Sequence, residues 1–345
     1  MGRRALITGG SGYFGCTLRR QLGERGWAVR VLDLVDVEDR PDEVEFVRGD
    51  IRDEGVVREA CQGIDVAFHN VAQVPLAKDR HLFQSVNCGG TENLLVAARE
   101  AGVGKVVHTS TSAVFGVPPH NPVDASVDPQ PREAYGRAKL EAERIVRRQL
   151  EAGGLDVTII RPRTIVGHGR LGIFQILFDW VESGRDIPVL GRGDNVYQFV
   201  HADDLADACI RAGERAGPAL YHVGAERFGT MRETLEALCA HAGTGSRVRS
   251  IPMKPAVLGM NLTSALGLSP LGPYHALMYG RSLYFDVTPA REELGWTSRW
   301  SNEEMICQSY DWYRAHKREV LAQLHASPHR SAVRQGILGL VKRLF

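Results

Sequence analysis

The glycine-rich stretch Thr8–Gly15 limits the fold of this chain more than any other feature. It lies between the apolar run Ala5–Ile7, which predicts a short buried strand, and Cys16–Arg25, which predicts a helix. A strand, a tight turn and a helix form a phosphate-binding site, because the first N–H groups of the helix are unpaired and lie at the positive end of its dipole. Glycine leaves room for the turn and for a bound pyrophosphate. The predicted dinucleotide contacts in this stretch are Gly9, Gly12, Tyr13, Phe14 and Gly15.

An acidic residue after the second predicted strand supports this interpretation. The alternative is an ordinary strand-to-helix turn in a chain that has 37 glycines. Asp33 directly follows the predicted strand Trp27–Leu32. A carboxylate at this position accepts hydrogen bonds from the adenosine ribose and repels a 2′-phosphate, so the sequence predicts NAD rather than NADP. Asp36 is a second candidate for this role, and a turn aspartate without ligand is the structural alternative for Asp33.

Strands and helices alternate through the first half of the chain. This order predicts an α/β fold with a doubly wound parallel sheet, of the Rossmann type, because each parallel strand needs a crossover that returns it to the same edge. The further predicted strands are Val44–Val47, Val66–His69, Val103–Thr109 and Leu155–Ile160. The predicted helices between them are Asp53–Cys61, Phe83–Ala101 and Arg132–Glu151.

Residues at the carboxyl ends of the predicted strands are further candidates for the cofactor site. Asp50 follows the third strand, where it either binds the adenine amino group, with Ile51 against the ring, or caps the next helix. Asn70 and Ala72 follow the fourth strand, and small residues there suit close approach by a cofactor. Thr109 ends the fifth strand and completes the predicted cofactor edge.

Two neighbours of this edge are predicted to have structural roles. His69 ends the fourth strand and is interpreted as a packed strand residue rather than a catalyst. Asn87 lies within a predicted helix, where its amide is expected to hold the backbone near the reaction centre.

A tyrosine and a lysine four residues apart carry the predicted chemistry. Tyr135 and Lys139 share one face of the predicted helix, because positions i and i+4 are neighbours on a helix surface. A free tyrosine has a pKa of about 10, and a nearby ammonium lowers that value by favouring the tyrosinate. Tyr135 is therefore the predicted base that removes the proton of an alcohol. Thr111, in the hydroxyl-rich run after the fifth strand, is predicted to hold the substrate oxygen.

Composition excludes several other classes of protein. The 345 residues are 43% hydrophobic and 24% charged, and the net charge of +1 offers no overall attraction for nucleic acid. None of the six cysteines forms a C-x-x-C pair, which predicts reduced thiols and no metal site. The chain runs from Met1 directly into the first strand, so we expect a cytoplasmic protein without a signal peptide.

Together these motifs resemble the extended short-chain dehydrogenase/reductases, the NAD-dependent epimerase/dehydratase superfamily, over about residues 3–315. The resemblance implies NAD as cofactor, Tyr135 as catalytic base and Thr111 as the catalytic hydroxyl. It implies that Lys139 assists the tyrosine and also binds the nicotinamide ribose. It further implies that Pro162, in Arg161-Pro162, lies beside the nicotinamide.

The same resemblance helps to select among the reactions of that superfamily. Sugar-nucleotide 4,6-dehydratases carry Asp-Glu directly after the catalytic threonine, whereas this chain has Ser112 and Ala113. Glucuronate decarboxylases carry a glutamate at the second of these positions. Dehydrogenation, or epimerisation by oxidation and re-reduction, is therefore expected. A non-catalytic NAD-binding protein is a remote alternative, because Tyr135 and Lys139 are both present.

The substrate prediction rests on the second half of the chain. Sugar-nucleotide enzymes usually place an arginine in the stretch that corresponds to Gly193–His201, and none is present here. Asn195, Leu268–Pro270 and the aromatic run Ser282–Asp286 resemble the 3β-hydroxysteroid dehydrogenase and sterol decarboxylase branch, which implies a lipid alcohol. A nucleotide sugar is the alternative. The arginines that would then bind its diphosphate are Arg163, Arg170, Arg192 and Arg281.

We expect two domains and a tail. Residues 1–165 with 196–225 are predicted to form the NAD domain, and 166–195 with 226–318 a smaller C-terminal substrate domain. The remaining 319–345 form an amphipathic basic tail, and 327–345 is a candidate for peripheral membrane contact, with docking on a protein surface as the alternative. The uncharged run 255–280 contains prolines and glycines and is a poor membrane span. The resemblance implies a homodimer through helices at 83–101 and 132–151.

Overall fold

The structure, a computed structural model, describes residues 2–73, 80–169, 173–266, 268, 278–322 and 342. Within them the chain forms a large parallel sheet and three two-stranded sheets. The first six strands are β1 Arg4–Thr8, β2 Ala28–Asp33, β3 Glu45–Arg48, β4 Val66–His69, β5 Lys105–Thr109 and β6 Val157–Pro162. The later strands are β7 Thr164–Val166, β8 Ile187–Leu190, β9 Val196–Tyr197, β10 Phe199–His201, β11 Ala219–Val223, β12 Gly229–Thr230 and β13 Val248–Ile251.

The large sheet has seven parallel strands in the order β11-β6-β5-β4-β1-β2-β3. From β1 the chain builds outward to β2 and β3, then returns to β4 on the other side of β1. The strand order therefore reverses between β1 and β4, and this is where open α/β sheets bind their ligands. The predicted doubly wound parallel sheet is confirmed.

The helices follow the predicted alternation but differ at their ends. α1 begins at Tyr13 rather than Cys16, because Gly12 already serves as its N-cap with extended backbone angles. The predicted single helix 83–101 is a π-helical segment, Phe83–Gly89, joined to a regular helix. The helices in order are α1 Tyr13–Glu24, α2 Glu54–Cys61, α3 Arg80–Leu82, α4 Gly90–Glu100, α5 Ala134–Ala152, α6 Ile173–Glu182, α7 Ala202–Glu214, α8 Met231–Ala242, α9 Met253–Ala265, α10 Thr288–Leu294 and α11 Asn302–Ala322.

Helices cover both faces of the large sheet. On one face, side chains of α1, α7 and α10 pack against the sheet, among them Leu18, Leu205 and Leu294. On the other face α2, α4 and α5 pack, with Val57 and Leu94 among their buried residues. Because both faces are covered, the inner strands are almost entirely buried, as expected for a parallel sheet.

A third apolar cluster lies outside the large sheet. It joins α6, α8 and α11 to the small sheets β8–β13 and β9–β12, and it includes Phe174, Trp180 and Tyr310. The aromatic run Ser282–Asp286 forms only isolated bridges, Val123 with Phe285 and Tyr197 with Leu283. The division into an NAD domain and a substrate domain stays a proposal.

Two of the predicted features lie outside the described residues. They are most of the tail 319–345 and the Ser269-Pro270 element. Among the helices that the structure describes, none has the length and apolar character needed to cross a bilayer.

Candidate active site

The glycine loop folds tightly between β1 and α1. Gly9 has a φ of +73°, a conformation that favours glycine, and its N–H donates to the carbonyl of Leu32 at 2.9 Å. A Cβ on Gly15 would lie 2.2 Å from the carbonyl oxygen of Gly9, so helix and loop are in direct contact. Gly12 caps α1 without a side chain, which leaves the first N–H groups of the helix without side-chain acceptors. This geometry suits a pyrophosphate.

Asp33 extends from the end of β2 to the same loop. One carboxylate oxygen accepts from the N–H of Ser11 at 3.0 Å and the other from the N–H of Leu34 at 2.8 Å. Burial raises the pKa of Asp33, although these hydrogen bonds oppose the change. Asp36, the competing candidate, is instead engaged by the guanidinium of Arg40. Of the two acids, Asp33 is the one beside the glycine loop.

The predicted adenine contacts, Asp50 and Ile51, lie after β3. Asp50 accepts from Arg52 through both the backbone N–H and the guanidinium, which lowers the pKa of the carboxyl. The alternative that Asp50 caps α2 is wrong, because Asp53 is the N-cap and accepts from Gly55 at 2.9 Å. Ile51 is buried and packs in the core. Their contact with adenine stays a prediction.

The ends of β4 and β5 are tied together beside the loop. The hydroxyl of Thr109 donates to the side-chain oxygen of Asn70 at 2.6 Å, and the Asn70 amide nitrogen is buried without a partner. His69 bonds the hydroxyls of Thr8 and Thr91 at 2.8 and 2.9 Å, so the prediction of a packed strand residue is confirmed. Burial lowers the pKa of His69 to about 3, which keeps the ring neutral.

Asn87 holds the segment that follows β4. Its side-chain oxygen accepts from the N–H of Gln73 at 2.8 Å, and its amide nitrogen donates to the Gln73 carbonyl at 3.1 Å. The predicted backbone-fixing role is confirmed. Ala72, the adjacent candidate, is half-buried at this edge.

Lys139 is directed at the same edge from α5. Its ammonium donates to the carbonyl of Thr109 at 2.6 Å and is buried. Desolvation lowers the pKa of Lys139 to about 8, while the Glu143 carboxylate acts in the opposite direction. Most Lys139 side chains are therefore still charged at neutral pH.

Tyr135 and Thr111 belong to two elements that pack closely against each other, α5 and the loop after β5. Glu133 caps α5 and accepts from the N–H of Tyr135 at 2.7 Å, and the Tyr135 ring meets Phe83 edge-on. A Cβ on Gly136 would lie 2.5 Å from the Ala113 carbonyl oxygen, so only glycine permits this approach.

The threonine has a second, structural role. The Thr111 oxygen accepts from the N–H of Ala113 at 3.2 Å and caps the short 3₁₀ segment Ser112–Phe115. Its hydroxyl hydrogen is therefore directed away from this cap and is suited to donate to another oxygen.

A buried ion pair supports this region and was missed by sequence reasoning. Glu143, one turn after Lys139, accepts two hydrogen bonds from Arg161 at 2.9 and 2.6 Å, and a third from Ser110 at 2.5 Å. Arg161 also lies over the ring of Phe115. The sequence contained only part of the signal for this ion pair. The dipeptide Arg161-Pro162 marked the end of β6, but nothing in the sequence identified Glu143 as the partner of Arg161. Pro162 ends β6 and is buried there.

The arginines proposed as diphosphate ligands lie in different surroundings. Arg163 is 1% exposed, donates to the Ser112 hydroxyl at 2.7 Å and lies over the Tyr197 ring. Arg192 is highly exposed and pairs with Asp194. Arg281 is exposed, and Arg170 lies outside the described residues. Asn195 uses its amide to hold the backbone, donating to the carbonyls of residues 279 and 281.

An apolar cavity of about 420 Å³ lies in the third cluster, a size typical of ligand sites. Walls come from α6, α8, α9 and strand β8, and no lining residue is charged. Ring contacts link its wall to Arg163, because Tyr197, which lies under that guanidinium, contacts Phe199 in the cavity wall. Representative lining residues are Phe174, Leu177, Trp180, Leu190, Met260 and Tyr279.

The residues at the β1–β4 edge fit a dinucleotide. Three separate polar groups lie along one sheet edge, and they are the start of α1, whose N-cap Gly12 has no side chain, the Asp33 carboxylate and the unpartnered Asn70 amide. Within the described parts of the chain, no group of three or more metal-binding side chains is clustered.

Comparison with known proteins supports this fold and the assignment of a dinucleotide to it. Residues 5–224 match the NAD dependent epimerase/dehydratase family. A UDP-glucose 4-epimerase of Thermus thermophilus, solved in complex with NAD, superposes with a TM-score of 0.74 at 26% identity, covering 90% of this chain and 99% of that one. The chain belongs to the NAD dependent epimerase/dehydratase family, and it is an NAD-dependent oxidoreductase.

Relatives in sequence divide between two substrate types. The uncharacterized protein y4nG of Sinorhizobium fredii is 54% identical, covering 98% of this chain and 85% of the relative. A UDP-glucose 4-epimerase of Mycolicibacterium smegmatis is 30% identical, covering 90% and 98%. A 3 beta-hydroxysteroid dehydrogenase/Delta 5-->4-isomerase of Mycobacterium tuberculosis is also 30% identical, covering 90% of both chains. The predicted resemblance to the steroid branch is thus distant and no stronger than that to the epimerases.

Proposed function

We propose that this enzyme oxidises a secondary hydroxyl of a lipid-like substrate, such as a sterol-like 3β-alcohol, with NAD. The uncharged cavity of about 420 Å³ carries the proposal. A diphosphate buried against such walls would lose its hydration without gaining cationic partners, which is strongly unfavourable, whereas an apolar skeleton gains free energy from the same burial. The 30% identity to the 3 beta-hydroxysteroid dehydrogenase supports this choice of substrate class.

The proposed roles of the catalytic residues follow from their contacts. Tyr135 removes the hydroxyl proton of the substrate, and Thr111 donates a hydrogen bond to the same oxygen. Lys139, fixed by the carbonyl of Thr109 at 2.6 Å, stabilises the tyrosinate by its charge. Bound NAD supplies the hydride acceptor. The chain's own contribution is to position the oxygen and to hold its proton.

The proposed cofactor contacts lie along the β1–β4 edge. Asp33 accepts the ribose hydroxyls, and the glycine loop binds the pyrophosphate. The remaining proposed contacts are Tyr13, Phe14, Asp50, Ile51, Asn70, Ala72, Thr109, Tyr135, Lys139 and Pro162.

Substitution Asp33→Asn is expected to weaken NADH binding about tenfold, because an amide accepts fewer hydrogen bonds than a carboxylate. NADPH binding should not weaken, because the repulsion of its 2′-phosphate is removed. Fluorescence titration of the purified protein measures both dissociation constants. Asp36→Asn is the matched control, since that partly exposed acid pairs with Arg40, and it should leave both constants unchanged. An equal loss of NADH and NADPH affinity would contradict the ribose role.

The substrate proposal predicts steady NADH formation at 340 nm with a sterol or other lipid alcohol. Filling the cavity by Leu177→Trp should lower kcat/KM for that substrate about tenfold or more and leave a small secondary alcohol unaffected, because only the larger molecule needs the space. Leu150→Trp is the control, since this half-buried leucine lies at the far end of α5, outside the cavity lining.

A second candidate function is the interconversion of UDP-sugars by oxidation and re-reduction. It is favoured by the M. smegmatis epimerase, because the alignment spans 98% of that relative. Such an enzyme must retain NAD, since the hydride returns to the same substrate. Purified protein that carries NAD and interconverts UDP-sugars, with no turnover of lipid alcohols, would overturn the lipid proposal.

We also propose a homodimer in which the helical stretches 83–101 and 132–151 pack against a second copy. A surface groove between the π-helical segment Phe83–Gly89 and α5 supports it, lined by apolar and charged side chains that include Phe83, Pro131, Ala134 and Arg137. We further propose the division into an NAD domain and a substrate domain, and a cytoplasmic location.

A further inference from the structure

Helix α9 is apolar on two opposite faces, although only one of them is covered. Ala256, Met260 and Thr263 on its inner face line the cavity. On the outer face Leu258 is 70% exposed and Leu262 59% exposed, and they lie one above the other because they are four residues apart. A helix that is apolar all round is normally buried on all sides.

The exposed leucines continue beyond the end of the helix. Leu266 is 63% exposed and Leu268 50% exposed. Seven large apolar side chains are exposed in the described part of the chain, and five of them lie between residues 253 and 268. Such a concentration on one surface indicates a contact with another apolar phase rather than the usual scatter of single exposed residues.

Charge identifies the kind of surface that fits this patch. From residue 237 to residue 285 the chain contains no Asp or Glu. The charged side chains in this span are all basic, and these residues are Arg247, Arg249, Lys254 and Arg281. Leucines within a basic surface complement an anionic lipid bilayer, which offers both an apolar interior and negative headgroups.

The same positive charge argues against two other partners for this surface, a second copy of the chain and the C-terminal tail. A second copy that used this face would bring two basic surfaces together. The tail is basic as well, with Arg330, Arg334 and Arg343, and its Lys342 pairs with Asp179 on α6. Arg249 is already paired with Asp186, and neither occupant supplies the negative charge that would complement Arg247, Lys254 and Arg281.

We propose that the leucine face of α9 lies on an anionic membrane, and that the cavity under this helix receives the apolar part of the substrate from the bilayer. The proposal of a membrane contact rests only on the exposed leucines and on the basic side chains near them. The delivery of substrate rests on the proposed function. The contact differs from the one predicted for residues 327–345, because it uses a helix in the middle of the chain.

Flotation of the full-length protein with lipid vesicles tests the contact without any turnover. We expect binding to phosphatidylcholine vesicles that contain phosphatidylglycerol, weaker binding to phosphatidylcholine alone, and weaker binding at high salt. The triple variant L258Q/L262Q/L266Q should lower partitioning at least about tenfold, because it removes the apolar contacts with the bilayer. Leu34→Gln is the control, since this leucine is similarly exposed but follows β2.

NADH binding checks that the triple variant folds correctly, because the three leucines lie outside the proposed NADH site. Unchanged flotation of the triple variant would overturn the proposal. So would dissociation of an oligomer in the variant, seen by size-exclusion chromatography, because the face would then bind a second copy. Flotation that is lost only on deletion of 327–345 would assign the contact to the tail. Failure to oxidise lipid alcohols would overturn the proposed substrate and leave the flotation result standing.

Discussion

Substitution Tyr135→Phe is expected to lower kcat about 10³-fold, because the phenol that takes the substrate proton is lost while the ring and its packing on Phe83 remain. Binding of NADH should stay within about twofold, since the ring keeps its position beside the cofactor edge. Steady-state assays at 340 nm and fluorescence titration of NADH measure the two quantities separately. The variant therefore distinguishes loss of chemistry from loss of the site.

The control for this prediction is Tyr284→Phe. Tyr284 is a half-buried tyrosine whose ring contacts Phe228, outside the glycine loop and α5. We expect its rate to match that of the unaltered protein. If Tyr135→Phe retained most of its activity, the assignment of the base would be wrong whatever the substrate, and the non-catalytic alternative would have to be considered again.

Substitution Arg161→Met should cost about 3–5 kcal/mol of folding free energy, because it leaves the Glu143 carboxylate buried without its charged partner. Both side chains are almost fully inaccessible, so water cannot replace the lost hydrogen bonds. Equilibrium urea unfolding measures the change.

Arg148→Met on the same helix is the matched control. Arg148 pairs with Glu141 at 3.4 Å, but both side chains are accessible to water. Exposed pairs of this kind contribute about 0–1 kcal/mol, so we expect little change in the unfolding midpoint. Equal effects of Arg148→Met and Arg161→Met would show that the buried pair has no special role in stability.

The loop after β5 also bears on the type of reaction. Ser112 and Ala113 occupy the positions where the resemblance leads us to look for carboxylates, and the structure engages Ser112 as an acceptor for Arg163. Neither side chain can act as a strong acid or base toward a ketone intermediate at this place. The proposed dehydrogenation, like the alternative epimerisation, would use Thr111, Tyr135 and Lys139.

Local sequence was sufficient for features that depend on spacing along one element. The glycine positions predicted the turn at Gly9 and the close helix contact at Gly15, because steric exclusion of a Cβ is a local effect. The four-residue interval placed Tyr135 and Lys139 on one face of α5. The helix ends were less well predicted, since residues such as Gly12 and Glu133 act as caps only in the backbone conformation they adopt.

The sequence by itself determined the doubly wound sheet, the turn at the glycine loop and the tyrosine–lysine interval on one helix, because alternating apolar strands, glycines and helical intervals are read within one or two neighbouring elements. Only the tertiary structure decided that Glu143 pairs with Arg161, and that Arg163 is buried. It alone combined α6, α8 and α9 into one uncharged cavity. Burial and long-range pairing arise when separate elements pack, so no local pattern contains them.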